Sequence, residues 1–215
     1  MARSACILLL MTGVFLAEDP KAMNADFEGD TTGAAPRHWT VTKTGTGEGS
    51  VWKIAEDATA PKGSKVLAQT AESPGAMFNL CVADGTNFKD VEVSVAFKAV
   101  KGKNDQGGGI VWRYIDANNY YVARYNPLED NYRLYHVVAG KRTQFGGKEE
   151  LKVKEGKWHT LTIKMVGDAI TCSLNGKVEI EAKDSTYTKS GQVGLWTKSD
   201  AQTYFDDFRA SEVKP

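Results

Sequence analysis

Five residues in the middle of this 215-residue chain could do chemistry together: Arg113, Arg124, Asn126, Arg133 and Tyr135. They fall in GIVWRYI, NYYVARYN and YRLYHVV, three runs with the alternation of β-strands. A two-residue period sends successive side chains to opposite faces. It sets Val111 and Arg113 opposite Ile110 and Trp112, groups Val122 with Arg124 and Asn126, and places Arg133 and Tyr135 opposite the core-like Tyr132 and Leu134. If the three strands are neighbours, the five residues share one polar and aromatic surface. Such a surface is rich in donors. Arginine and asparagine offer fixed N–H groups to hydroxyl oxygens, and arginine holds a carboxylate bidentately. The plainer alternative is a solvated outer face on which rings pack against arginine stems.

Other chemistries find less support. Glu179 and Glu181 in VEIEAKD share a face, about 6.6 Å apart by strand rise, a spacing within reach of a carboxylate pair that cleaves glycosides with inversion. They alternate with Val178, Ile180 and Ala182, however, which is the pattern of a strand wet on one side. Asp90 and Glu92 read the same way. His38, His136 and His159 are scattered and lack a serine or cysteine partner in a recognisable motif. GTGEG at Gly45–Gly49 lacks the strand-then-helix context of a dinucleotide fingerprint. No CxxC or Cys/His cluster suggests zinc.

The elements that must position these residues are strands. Beyond the N-terminus no long stretch carries a helical period. VEVSVAFKAV, the three runs above, HTLTIKMV, AITCSL, KVEIEA, GQVGLWTK and QTYFDDFRAS are separated by turn residues, including Asn175-Gly176, a pair suited to a tight hairpin. Many short strands at close spacing predict an all-β, antiparallel sandwich or barrel. Lysine plus arginine equal aspartate plus glutamate at 27 each, so the chain carries no electrostatic footprint for nucleic acid. The first residues, MARSACILLLMTGVFLA, have a basic start and a short apolar run, the shape of a secretory signal; a membrane span needs about 20 apolar residues. Residues 1–25 are therefore read as signal and leader, with an uncleaved anchor as the alternative, and 26–215 as one domain, secreted or periplasmic, with no membrane segment after processing. Cys81 and Cys172 are expected as core thiols rather than a disulfide. The sequence fixes no oligomeric state.

Taken together, KDVEVSVAFKAV, GGGIVWRYIDANNYYVARYN, GKWHTLTIKMVGDAITCSLNGK and SGQVGLWTKSDAQTYFDDF resemble the concanavalin A-like lectin/glucanase jelly rolls. More narrowly, they resemble the bacterial 3-keto-disaccharide hydrolase domain and its laminin-G-like relatives. The resemblance implies a two-sheet jelly roll whose concave sheet presents Arg113, Arg124, Asn126, Arg133 and Tyr135 to a carbohydrate. The three arginines suggest an acidic or oxidised sugar. The resemblance also leaves open an enzyme that cleaves activated 3-keto glycosides by elimination, and a module that binds another protein. The last strand reads FDDF where the family more usually has an asparagine, and no catalytic residue is carried over. Some sugar-binding jelly rolls hold structural calcium between their first and last strands. Asp26, Glu28, Asp206 and Asp207 are the oxygen ligands expected for it here, with the PLEDN turn at Pro127–Asn131 as a lesser candidate.

Overall fold

The computed structural model describes residues 21–73 and 75–214; the apolar run expected as a signal lies outside the described residues. Among the described residues there is no helix, and hence none long and apolar enough to cross a membrane. In chain order the strands are β1 (Ala22–Ala25), β2 (Trp39–Thr44), β3 (Trp52–Glu56), β4 (Lys65–Gln69), β5 (Phe78–Ala83), β6 (Val91–Lys101), β7 (Gly108–Asp116), β8 (Asn119–Asn126), β9 (Asn131–Val138), β10 (Lys141–Lys148), β11 (Trp158–Val166), β12 (Ala169–Leu174), β13 (Lys177–Lys183), β14 (Gln192–Lys198) and β15 (Gln202–Glu212).

They form two antiparallel sheets. The first runs β13-β12-β11-β6-β15-β4-β3, with β1 also paired to β15; the second runs β10-β9-β8-β7-β14-β5-β2. The expected sandwich is present, and β7, β8 and β9 are neighbours as the candidate surface requires. The Asn175-Gly176 turn between β12 and β13 has φ of 52° and 79°, the left-handed geometry that this residue pair tolerates.

Alternation builds the core. Val91, Val93, Val95 and Phe97 of β6, with Leu161, Ile163 and Met165 of β11, face Ile110 and Trp112 of β7 and Tyr121, Ala123 and Tyr125 of β8. Each fully buried large side chain contributes about 1.5–3 kcal/mol of transfer free energy. Cys81 and Cys172 point into this core from opposite sheets, unpaired. Burial pushes both thiols up, so neither is a ready nucleophile.

Two features depart from the sequence expectation. Ala22–Ala25, read as the end of the leader, pairs with Phe208–Ser211 of the last strand, so the folded unit begins before residue 26. The second difference concerns the far face of the second sheet. Its β5 and β8 bury nearly every residue on both faces. A separate apolar cluster of Phe78, Leu80, Val82, Val111, Tyr120, Val122, Tyr135, Val137 and Trp196 occupies the side away from the main core. The sheet curls enough that Thr44, on edge strand β2, bonds the Ala117 carbonyl of the β7–β8 turn and lies 2.7 Å from the Tyr120 hydroxyl. The concave face is thus a lined hollow rather than an open polar plate.

Candidate functional site in the hollow of the second sheet

The register assembles the floor of this hollow. Arg124 stands opposite Arg133, Val122 opposite Tyr135, and Asn126 opposite Asn131, across β8 and β9. Gly109 pairs with Arg124 on one side and Trp196 on the other. A Cβ at Gly109 would come within 2.9 Å of the Arg124 Cβ, so the missing side chain is what lets Arg124 sit beside the indole. On β10, Arg142 and Gln144 face Val137 and Tyr135. Four of the five expected residues, Arg124, Asn126, Arg133 and Tyr135, therefore share this face.

Arg113 does not. A bulge interrupts the β7–β8 ladder between Trp112 and Asp116, and Arg113 sits in it with φ of 45°. The irregularity breaks the two-residue period and turns the side chain to a buried position among the loops. There its Nε donates to the Lys89 carbonyl (2.9 Å), Nη1 to that of Tyr187 (2.5 Å) and Nη2 to that of Gly167 (2.8 Å), and Nη2 lies 3.5 Å from the Asp90 carboxylate. Arg113 ties three connections together and is remote in function from the hollow.

The polar groups of the hollow form chains of partners. Arg124, only 2% exposed, donates from Nη1 to Asn131 Oδ1 and from Nη2 to Glu129 Oε2, each at 2.8 Å. Burial works to raise the Glu129 carboxyl, but Arg124, Asn131 and Arg133 outweigh it and hold it at about 2. Arg133, half-buried, forks onto both oxygens of Glu149 at 2.9 and 3.2 Å. Asn126 donates to Asp105 Oδ1 at 2.9 Å, and Lys198 Nζ meets Asp105 Oδ2 at 2.8 Å. Burial pushes the Asp105 carboxyl up even against Lys198 and Arg124.

Sequence reasoning did not reach Arg142, Trp196, Phe78, Asp105 or Lys198, though they define the hollow. Arg142 lies over three rings, 4.2 Å from the centroid of Tyr135, 5.0 Å from Phe78 and 5.7 Å from Trp196, while Arg124 lies 6.0 Å from Tyr135. Two enclosed guanidinium N–H groups here have no acceptor, Arg124 Nε and Arg142 Nη1, and the Trp196 indole N–H has the Tyr120 hydroxyl near it. Buried donors are almost always paired, so two unpaired guanidinium nitrogens over one tyrosine ring are unusual.

The remaining candidates have other work. Glu28 Oε1 accepts the amides of Ser64 and Lys65, and Asp26 accepts that of Glu28. Asp206 accepts the amides of Lys62 and Asp207, and Asp207 pairs with Arg209. The four acids do lie near the seam of first and last strands, but they pin the 57–65 loop and the point where β15 exchanges β4 for β1. Among the described residues no three metal-ligating side chains gather. In the PLEDN turn, Glu129 serves Arg124. Glu179, on the edge strand of the first sheet, pairs with Lys177. His159 is held by the Lys154 carbonyl and Asn175, and His136 stacks on Phe145 beside Asp184.

Two curved antiparallel sheets with a lined concave face define a concanavalin A-like jelly roll. Solved structures agree with it. A carbohydrate-binding module, CBM66, from Bacillus subtilis matches with a TM-score of 0.65 at 17% identity, over 81% of this chain and 95% of that one. Domain 4 of the arabinanase AbnA from Geobacillus stearothermophilus, in complex with arabinotriose, gives 0.59 at 15% identity over 91% and 94%. A Bacteroides ovatus GH16 protein of a mixed-linkage glucan locus, in complex with its product, gives 0.60 at 13% identity over 87% and 98%. At such identities the likeness is one of fold. No curated protein sequence matches significantly. The model of the 3-keto-alpha-glucoside-1,2-lyase-like domain matches residues 24–211, and the chain belongs to that family.

Proposed function

We propose that this domain binds a carbohydrate in the hollow of its second sheet, outside the cytoplasm. The observation that carries the reading is the pair of enclosed, unpaired guanidinium donors, Arg124 Nε and Arg142 Nη1, set against the rings of Tyr135 and Phe78. A sugar supplies what they lack: hydroxyl oxygens for the donors and C–H faces for the rings. The carbohydrate ligands named for the structural neighbours support the same reading, and the basic start and apolar run of the first residues support export. The test is a glycan array followed by titration with the best ligand, read by tryptophan fluorescence. Trp196→Phe keeps a ring and removes one donor, and is expected to weaken binding about five- to tenfold, the scale of one hydrogen bond. Unchanged affinity would place the ligand elsewhere.

Asp105 favours a second reading, glycoside cleavage of the kind the family's description names. In a 3-keto glycoside the carbonyl acidifies the C2 proton. A base takes that proton, the C–H electrons form a C1–C2 double bond, and the C1–oxygen bond breaks with protonation of the leaving sugar. Asp105, a buried carboxyl with a raised pKa, would be that base once it releases Asn126 or Lys198, which now hold its two oxygens. Release of free sugar from a 3-keto disaccharide, abolished by Asp105→Asn, would establish it. Saturable binding without turnover would leave the first reading alone.

A further inference from the structure

We infer that the ligand of the hollow carries a carboxylate, and that it is a hexuronate sugar bound through Arg142. This rests on the carbohydrate-binding reading above and specifies the charge of its ligand.

Charge balance is the starting observation. Four cationic side chains border the hollow, and three of them have carboxylate partners: Arg124 with Glu129, Arg133 with Glu149, Lys198 with Asp105. Among the described residues no carboxylate lies within ion-pair distance of Arg142, its Nη1 has no acceptor, and Asp105, whose charge acts on it, is already paired with Lys198. It rests on aromatic faces alone, 4.2–5.7 Å from three ring centroids. Rings attract a guanidinium but neither neutralise it nor accept its N–H groups in its own plane. Arg142 is thus a partly desolvated cation without a contact ion pair and without an acceptor for Nη1.

Neutral hydroxyls would satisfy the second need and not the first. A carboxylate satisfies both, because its two oxygens match the guanidinium fork. The rest of the hollow suits the sugar attached to it. Arg124 Nε remains for a ring hydroxyl, and Gln144, exposed and two residues beyond Arg142 on the same face, borders the opening. Arg142 also comes from an edge strand and has no polar anchor, so it can turn toward an arriving carboxylate without breaking a hydrogen bond.

The experiment is calorimetric titration of the full chain with trisaccharides of galacturonate and of glucuronate, their methyl esters, and neutral gluco- and fructo-trisaccharides. The expected result is that one uronate binds at least tenfold more tightly than its ester. The advantage should shrink as salt is raised and vanish in Arg142→Gln, with Arg142→Lys retaining part of it. Thermal melts of both variants check that the fold is kept. Equal affinity for acid and ester, or a preference for a neutral sugar, would overturn the inference while leaving carbohydrate binding intact. Binding to no sugar on the panel would overturn both.

Discussion

Arg113 and Arg142 are guanidinium groups of the same sheet, the first fully buried and the second partly so, and they have opposite surroundings. Arg113 donates to three carbonyls contributed by three separate connections and faces Asp90. Arg142 has three rings and an orphan nitrogen. A buried charge whose donors are all matched by the protein is a structural tie. One whose donors are unmatched, and which only ring faces stabilise, is open to a partner from outside the chain. Burial alone does not distinguish scaffold from site; the inventory of partners does.

The largest test of this contrast is Arg113→Ala. It strands three carbonyls and a half-buried aspartate, and removing one partner from a buried polar network costs about 3–5 kcal/mol. Urea denaturation should show a loss of that size, and the loss should persist when ligand affinity, measured well below the melting temperature, is unchanged. Arg142→Gln should do the reverse: a stability loss of only about 1 kcal/mol, the scale of its ring contacts, with affinity reduced tenfold or more. If both variants lost stability equally, the two arginines would be equivalent and the contrast would fail. Arg124 lies between them. Its Nη groups are matched by Asn131 and Glu129 and its Nε is not, so Arg124→Ala should lower stability and affinity together.

The same contrast explains what could be read from the sequence. Alternation placed Arg124, Asn126, Arg133 and Tyr135 on one face because β8 and β9 pair without interruption. It failed one strand away, at Arg113, because a bulge carries a non-glycine residue at φ of 45° and no turn residue marks it. The apolar lining of the hollow was legible in principle: FNLCVA and YYVA are apolar on both faces, a pattern of double burial. Strand β10 was not legible. KRTQFGGK is charged, glycine-bearing and on an edge, so Arg142 had no pattern to place it. Asp105 sits in a loop, and only the fold brings it to Lys198. The resemblance to sugar-related jelly rolls held for the whole scaffold and did not resolve these side chains.

Two carboxyls carry the comparison into pH dependence. Glu129 titrates in the hollow, held at about 2 by guanidinium and amide donors that outweigh burial. Its folded pKa lies below the unfolded value near 4.3, so the stability it contributes is present above that value and is lost as pH falls toward 2. Among the described residues Asp206 has no ion-pair partner. Burial raises it to about 6, against the Lys62 and Asp207 amides and with Asp207 and Glu28 nearby. Its folded pKa lies above the unfolded value near 3.9, so its favourable contribution is complete below about pH 4 and is lost as pH rises to 6. Chemical denaturation across pH should show two slopes of opposite sign. Glu129→Gln should flatten the acid limb, and Asp206→Asn the segment between pH 4 and 6. An unchanged profile in either variant would reject the assignment for that carboxyl.

The smallest expected effect is at the seam. Asp26, Glu28, Asp206 and Asp207 were the residues expected to hold calcium, and a metal there would need at least some of their oxygens free. Asp206 and Glu28 both accept two protein donors, Asp26 accepts one, and Asp207 is forked by Arg209. Calcium takes six to eight oxygens and would have to break several of these bonds to gather them. By the reasoning that separates Arg113 from Arg142, matched acids are ties. Added calcium or a chelator should therefore leave the melting temperature within about 1 °C, since about 1 kcal/mol corresponds to a few degrees for a chain of this size. A calcium-dependent rise that Asp206→Asn abolishes would show that the ties give way to a metal.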